Sequence, residues 1–449
     1  MGVAEYRFTK RDTIYGEKIE MKTKTKKNKL PIIIITAFIV TVTVVGAVFS
    51  HFGGFGTGET ADIKEYEKYA VSVADITIPE NTRIVALGEA THGNAEFQEL
   101  KLDVFKVLVE NYGFRAFSLE GDFGGCEAVN RYINGGDGTA KDAAQAIGFA
   151  IYRTEQMEEL IAWMREYNDS APESDKLRFY GFDMQRVEYN HKYLLEGAKE
   201  LGVDVTELEK SWDYETEDFS AEYDPESRAA IYEGLKKELA GVNSSKAQYA
   251  SHFADILLQN IELGKTYSSG DSGGAAIRDR YMAENINWIL EQEERLGNNR
   301  IFVSAHNGHV ERFGTYGDTG KVTGNILADA WGDQYFVIGT DFYETKCNLR
   351  KGDNPKRITK TFFSHDPLAK ASWKCGFEES YLDFSRIPED SPLKDSISEY
   401  TWLGSLGEAY SPVMAILPMA YRVWQSPETL YDGMIYISKA HPTKIMPEQ

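Results

Sequence analysis

Residues 83–93 read Arg83-Ile84-Val85-Ala86-Leu87-Gly88-Glu89-Ala90-Thr91-His92-Gly93. Four apolar residues run without a break into a glycine, and a polar turn follows. The run has the length and β-branched content of a short buried strand. Beyond the turn, Asn94 has the chemistry of an N-cap. Apolar residues at Phe97, Leu100, Leu102, Phe105 and Leu108 then predict a helix. Strand, tight turn and helix form the opening half of a βαβ unit. Ligands of open α/β sheets sit at the carboxyl ends of strands, and Glu89 and His92 fall at such an end. Gly88 and Gly93 are expected to let the backbone turn sharply and approach a ligand closely.

The same signature recurs along the chain. Residues 114–119 predict a second strand that ends at Glu120, with Asp122 opening a helix. Residues 177–182 predict a third strand, ending at Asp183. Residues 300–305 predict a fourth, which runs straight into His306-Asn307-Gly308-His309. Residues 335–340 predict a fifth, ending at Asp341 and followed by Glu344. Residues 434–437 are the last apolar run. Helical periodicity at 154–167, around Tyr193 and Leu194, and at 278–296 separates them. This alternation predicts an α/β fold with a mostly parallel sheet and helices on both faces. Residues 204–270 are acidic and carry helical patterns without strand runs. They read as a helical insertion or cap that builds one wall of a cleft and sets specificity. After residue 345 the pattern weakens.

The 449-residue chain has room for one large domain or two ordinary ones. Residues 1–29 carry nine Lys/Arg and four Asp/Glu, a net +5 against −21 for the whole chain, so the remainder holds −26. A body that acidic repels nucleic acid, and no nucleic-acid partner is expected. Leu30 to Phe49 is an uncharged, mostly apolar run of bilayer-spanning length, with Lys22, Lys24, Lys26, Lys27 and Lys29 just before it. By the positive-inside rule this predicts one N-terminal transmembrane helix with a cytoplasmic N-terminus and an exported remainder. The expected order is a basic leader (1–29), an uncleaved anchor (30–50), a glycine-rich linker (51–60) and a catalytic domain (61–449). Of the three cysteines, Cys347 and Cys375 could pair, which would leave Cys126 alone in a helix as a small buried residue.

If the strands are parallel, Glu89/His92, Glu120, Asp183, His306/His309 and Asp341/Glu344 converge on one edge of the sheet. Histidines beside carboxylates suit general acid–base chemistry, because a carboxylate fixes the imidazole tautomer and stabilises its charged form. The same set suits a divalent metal, and spacing alone does not separate the two. There is no Gly-x-Ser-x-Gly elbow, no P-loop and no dinucleotide fingerprint. His51, His191, His252, His365 and His441 lack a strand-end context and read as structural or surface residues. Lys101 and Arg153 read as structural or solvated. Arg278-Asp279 opens the long helix, where the pair could orient a carboxylate of the site or simply bond a neighbour.

Gly88-Glu89-Ala90-Thr91-His92-Gly93, Leu119-Glu120-Gly121, Gly181-Phe182-Asp183, Arg278-Asp279-Arg280-Tyr281 and Ala305-His306-Asn307-Gly308-His309 resemble, in order and spacing, the erythromycin esterase family. The resemblance spans roughly residues 60–440. It implies an α/β fold with a helical lobe over a deep cleft, and hydrolysis of a carboxylic ester such as a macrolide lactone without a covalent intermediate. It makes His92 the general base on water, with Glu89 and Glu120 as its carboxylate partners. It makes His306 a second essential histidine and sets His309 close to the site. Arg278, Asp183 and Glu344 read beside them as substrate-side residues. The implied partner is a small-molecule ester, and no cofactor is required. Two rival readings remain. One is a metal-dependent hydrolase with Glu89, His92, Glu120 and His306 as ligands. The other is a ligand-binding ectodomain without catalysis. An exported location departs from that of the family's resistance enzymes, so the resemblance implies a fold and a hydrolytic site rather than a particular substrate.

Overall fold

Ile84–Glu89 is buried at every position, as a strand covered on both faces must be. It is β1 of a nine-stranded sheet among the described residues, which are 35–36, 38–44 and 59–447 apart from 271, 353 and 416, in a computed structural model. The labelled strands that follow are β2 (Ala116–Asp122), β3 (Arg178–Asp183), β4 (Ile301–His306), β5 (Tyr335–Lys351), β6 (Asn354–Phe363), β7 (Glu379–Asp383) and β8 (Gly433–Ala440). Their spatial order is β3-β2-β4-β1-β5-β8-β7, with β6 and the short strand Ala409–Tyr410 also paired to β5. From β3 to β8 every neighbour runs parallel, while β7 on β8 and β6 on β5 are antiparallel. The mostly parallel α/β sheet is therefore as expected.

Alternation within β1 divides the core. Ile84 and Ala86 join one buried cluster, with the helices α4 (Glu188–Glu200), α5 (Pro225–Ala240), α6 (Ser245–Ser269) and α7 (Gly274–Arg295). Val85 and Leu87 join the other, with α1 (Ala95–Tyr112), α2 (Phe123–Ile133) and α3 (Glu155–Ser170). Phe123, at the start of α2, also packs into the first cluster. The acidic stretch 204–270 is helical as expected, chiefly α5 and α6. It docks through Gln259 to Asn285 of α7, and Asn260 Nδ2 donates to Met184 O at 2.9 Å, one residue beyond β3.

Four expectations need correction. First, β5 does not stop at Asp341. Burial on both faces continues through Phe342 and then alternates to Lys351 as the strand leaves the covered sheet to pair with β6. An acidic residue inside a buried run mimics a strand end, and here Asp341 is satisfied from within by Ser364 Oγ (2.8 Å) and Gly404 N (3.0 Å). Second, Asn94 is the N-cap residue of α1 but does not cap it. Its side chain donates to Lys346 O and His441 O and accepts from Thr345 Oγ1, which ties the turn to β5 and β8. Third, neither Gly88 nor Gly93 has a positive φ. A Cβ on Gly88 would lie 2.1 Å from Asn307 Oδ1, and one on Gly93 would lie 2.2 Å from Asn348 O, so the close approach is made by the protein itself. Fourth, Cys347 and Cys375 are both free thiols, with Cys347 sealed against Thr91 Oγ1 at 2.8 Å.

The chain separates into two units, residues 1–51 and 52–449. Among the described residues no helix is long and apolar enough to cross a membrane. The predicted span, Leu30 to Phe49, lies largely outside the described residues. Its described part is helical, with Phe38, Ile39, Val40, Val42 and Val44 exposed.

Candidate active site

Parallel register brings the expected strand ends together. Glu89 lies opposite His306 across β1 and β4, Leu119 opposite Ser304 across β2 and β4, and Asp122 opposite Asp183 across β2 and β3. Glu89, Glu120, Asp183 and His306 thus share one sheet edge. The turn after β1 adds His92, the helix α8 (Asn307–Val310) adds His309, and the first turns of α7 add Arg278 and Asp279.

His92 is clamped on one side only. Its Nδ1 meets Glu89 Oε1 at 2.7 Å, while no hydrogen bond among the described residues engages Nε2 and the side chain keeps 11% of its surface. Glu89 is spent on holding this geometry. Its Oε2 accepts from Gln98 Nε2 at 3.0 Å and from Lys101 Nζ at 2.8 Å, both on α1, and Lys101 is only 1% exposed. Burial alone would raise the Glu89 carboxyl, but the Lys101 ammonium and His92 outweigh it and hold the group at about 2. His92 is pulled down by burial and up by Glu89, and the net result lies above the ordinary imidazole value. An ionised carboxylate on Nδ1 with an open Nε2 is the arrangement of a general base.

Glu120 faces the second half of the site. Its Oε1 accepts from Arg278 Nη2 at 2.7 Å and its Oε2 from the His306 backbone N–H at 2.9 Å. Burial opposes ionisation, but His309, Arg278 and His92 keep the carboxylate charged. Arg278 also grips Asp183, through Nη2 to Oδ2 at 2.6 Å and Nε to Oδ1 at 3.3 Å. His309 has a carboxylate of its own: Nδ1 meets Asp279 Oδ1 at 2.8 Å, and Thr323 N, Thr323 Oγ1 and Tyr316 OH all donate to Asp279. The His309 Nε2 lies 3.2 Å from Arg278 Nη1 and 3.4 Å from Glu120 Oε1. The His306 ring sits between the other two, 5.0 Å from His92 and 6.4 Å from His309, centre to centre.

Seven of the eight sequence-predicted residues therefore meet: His92, Glu89, Glu120, His306, His309, Arg278 and Asp183. Glu344 does not join them by any hydrogen bond or ion pair among the described residues. It lies in the extended part of β5, opposite Phe363 and Lys439. His191 and His252 stack on Trp212 and Trp288 in the helical flank, and His441 pairs with Glu96. Lys101, read as structural or solvated, proves to be the counter-ion of Glu89. The signal was present in a polar pair, Gln98 and Lys101, on the otherwise apolar buried face of α1. Asp279 and Leu406 also contribute, and Leu406 does so through its backbone, which leaves no trace in side-chain chemistry.

Among the described residues no set of three or more His, Cys, Asp or Glu groups converges as metal ligands. Glu89 and Glu120 each have both oxygens engaged by N–H groups, cations or the His92 ring.

The sequence profile described as erythromycin esterase matches residues 109–440. The chain belongs to the erythromycin esterase family. An Escherichia coli erythromycin esterase type II is 25% identical over 351 residues, 69% of this chain and 82% of that protein. A putative hydrolase of Bacillus subtilis (strain 168) is 25% identical over 401 residues, 81% of this chain and 85% of that one. A crystal structure of a Bacillus cereus protein shares the fold, with a TM-score of 0.67 at 22% identity over 86% of this chain and 98% of that one. Family membership makes the chain an erythromycin-esterase-type hydrolase, and the clustered strand ends are where the family motifs meet.

Proposed function

We propose that this protein hydrolyses a carboxylic ester with water activated by His92. The carrying observation is the Lys101–Glu89–His92 relay, with Nε2 of His92 taking no hydrogen bond among the described residues. In this reading Nε2 takes a proton from water as the oxygen attacks the ester carbonyl. The negative charge that develops on the carbonyl oxygen is met by the Arg278 guanidinium, which Glu120 and Asp183 hold in place. Collapse breaks the acyl–oxygen bond, and the His92 imidazolium returns its proton to the departing alkoxide, giving an acid and an alcohol. The imidazolium is favoured throughout by the Glu89 carboxylate. His309, seated by Asp279, orients Arg278 from behind. No metal is needed in this reading, since the carboxylates already serve cations and N–H groups of the chain. Turnover after exhaustive chelation is expected to equal that of untreated protein. Replacing His92 by Ala is expected to lower kcat by about 10²–10⁴-fold with the fold retained, and undiminished turnover would remove His92 from this role.

The reading extends to location. The five lysines before the apolar run at Leu30 to Phe49, and the exposed apolar helix in its described part, support a single-pass anchor with residues 61–449 outside the cytoplasm. Protease added to intact cells should then remove the ester-cleaving domain. Full protection of that domain would place it inside.

A further inference from the structure

His306 differs from its two neighbours in having both ring nitrogens tied to backbone groups. It ends β4 and caps α8, and in doing so Nδ1 accepts from Gly308 N–H at 3.1 Å. Nδ1 is therefore unprotonated, and the ring proton sits on Nε2, which donates to Leu406 O at 3.1 Å. A neutral ring with both nitrogens engaged must break one of these bonds before it can carry a proton. Its surroundings also resist charging. Burial, then His92 and His309, push the ring down to about 4.

Leu406 is the residue this bond holds. Its own N–H donates to Ala90 O at 2.7 Å, it bridges Thr91, and it is fully buried, so it is stitched to the turn that carries His92. Leu406 stands at the base of a loop whose ends close on each other, with Ser405 N donating to Tyr421 O at 3.0 Å. Between those ends lie two short 3-10 turns, Pro412–Ala415 and Pro418–Tyr421. The closed ends continue the antiparallel pairing of Thr401–Gly404 with Arg422–Gln425, and within the loop Ala409–Tyr410 pairs with β5. This loop carries Val413, Leu417 and Met419 with 42%, 39% and 49% of their surfaces open. Its apolar surface thus rises from a base shared with the catalytic turn.

We propose that His306 is a positioning residue that latches loop 405–421 to the His92 turn. The inference rests on the ester-hydrolase reading for its kinetic arm. The latch itself stands on geometry alone. Two substitutions separate the bonds. In His306→Gln the side-chain amide reaches the position of Nε2 and can still donate to Leu406, while the cap on Gly308 is lost. In His306→Asn the carbonyl replaces Nδ1 as the cap, and the donor to Leu406 is lost.

Amide hydrogen exchange on the full chain reads the latch without reference to turnover. His306→Asn is expected to speed exchange across 405–421 by about tenfold or more, and His306→Gln to leave it near the wild-type rate. In both His306 variants the pH profile of ester turnover should keep its shape. Unchanged exchange in His306→Asn would overturn the latch. Equal collapse of kcat on all esters in both His306 variants, with loss of a limb of the pH profile, would make His306 a proton carrier and overturn it equally. Wild-type protein inert on every ester would refute the hydrolase reading, and the exchange result would still decide the latch.

Discussion

Three histidines within 6.4 Å ring-to-ring spacing of a neighbour have three different sets of hydrogen-bond partners. His92 has a carboxylate on Nδ1 and an open Nε2, His309 has a carboxylate on Nδ1 and a guanidinium beside Nε2, and His306 has both nitrogens tied to backbone. Because Glu89 and burial together leave His92 above its ordinary value of 6.5, activity is expected to fall on acidification with a midpoint above that value, read from kcat/KM against pH. The Glu89 carboxyl, held at about 2 against an ordinary 4.5, contributes to stability in the same sense. It is present in full above pH 4.5 and is lost as pH falls toward 2. Lys101 is the residue on which this depends. Lys101→Met leaves Glu89 buried without its ammonium, so a stability loss of about 3–5 kcal/mol is expected by denaturant titration. The Glu89 carboxyl should rise, and the pH profile should flatten with it.

At the level of elements, the site is built from strand ends, and those were legible. Mostly apolar runs closing on Glu89, Glu120, Asp183 and His306 gave β1 to β4 to within three residues, because a strand buried on both faces admits few polar positions before it ends. The same logic failed at β5, where Asp341 is buried inside the strand and the pattern changes from continuous to alternating. It also failed beyond residue 345, where β6 faces solvent and carries few apolar residues to announce it. The β5 extension has a role in the site all the same. Asn94, at the head of α1, ties the His92 turn to Lys346 and Thr345 of β5 and to His441 beyond β8. Asn94→Ala strands these buried groups and is expected to cost about 1–3 kcal/mol, measurable as a lowered denaturant midpoint. Gly88→Ala forces a Cβ to within 2.1 Å of Asn307 Oδ1, whose amide also bonds Thr340 on both sides. That close packing places the loss at about 1–3 kcal/mol.

Across the whole molecule, charge and cysteine content act differently from the site. At the sheet edge that gathers the site, Lys101 and Arg278 lie in buried ion pairs, so added salt should change turnover little because buried pairs are weakly screened. With Cys126 and Cys347 buried and all three thiols free, reducing agent should leave the melting temperature unchanged. The contacts least visible in the sequence are those made by backbone, such as Leu406 O on His306 and the Gly93 carbonyl shared by Asn348 N and Thr443 N. Side-chain chemistry records which groups gather at a sheet edge. It does not record which carbonyls hold them there. The central claim, that His92 activates water, is tested most directly by comparing ester turnover of wild-type protein and His92→Ala over a panel running from short acyl esters to macrolide lactones, each variant checked for an unchanged melting temperature. A fall of about 10²-fold or more in kcat for His92→Ala on every ester the wild type cleaves is the predicted result. Turnover by folded His92→Ala at the wild-type rate would contradict it.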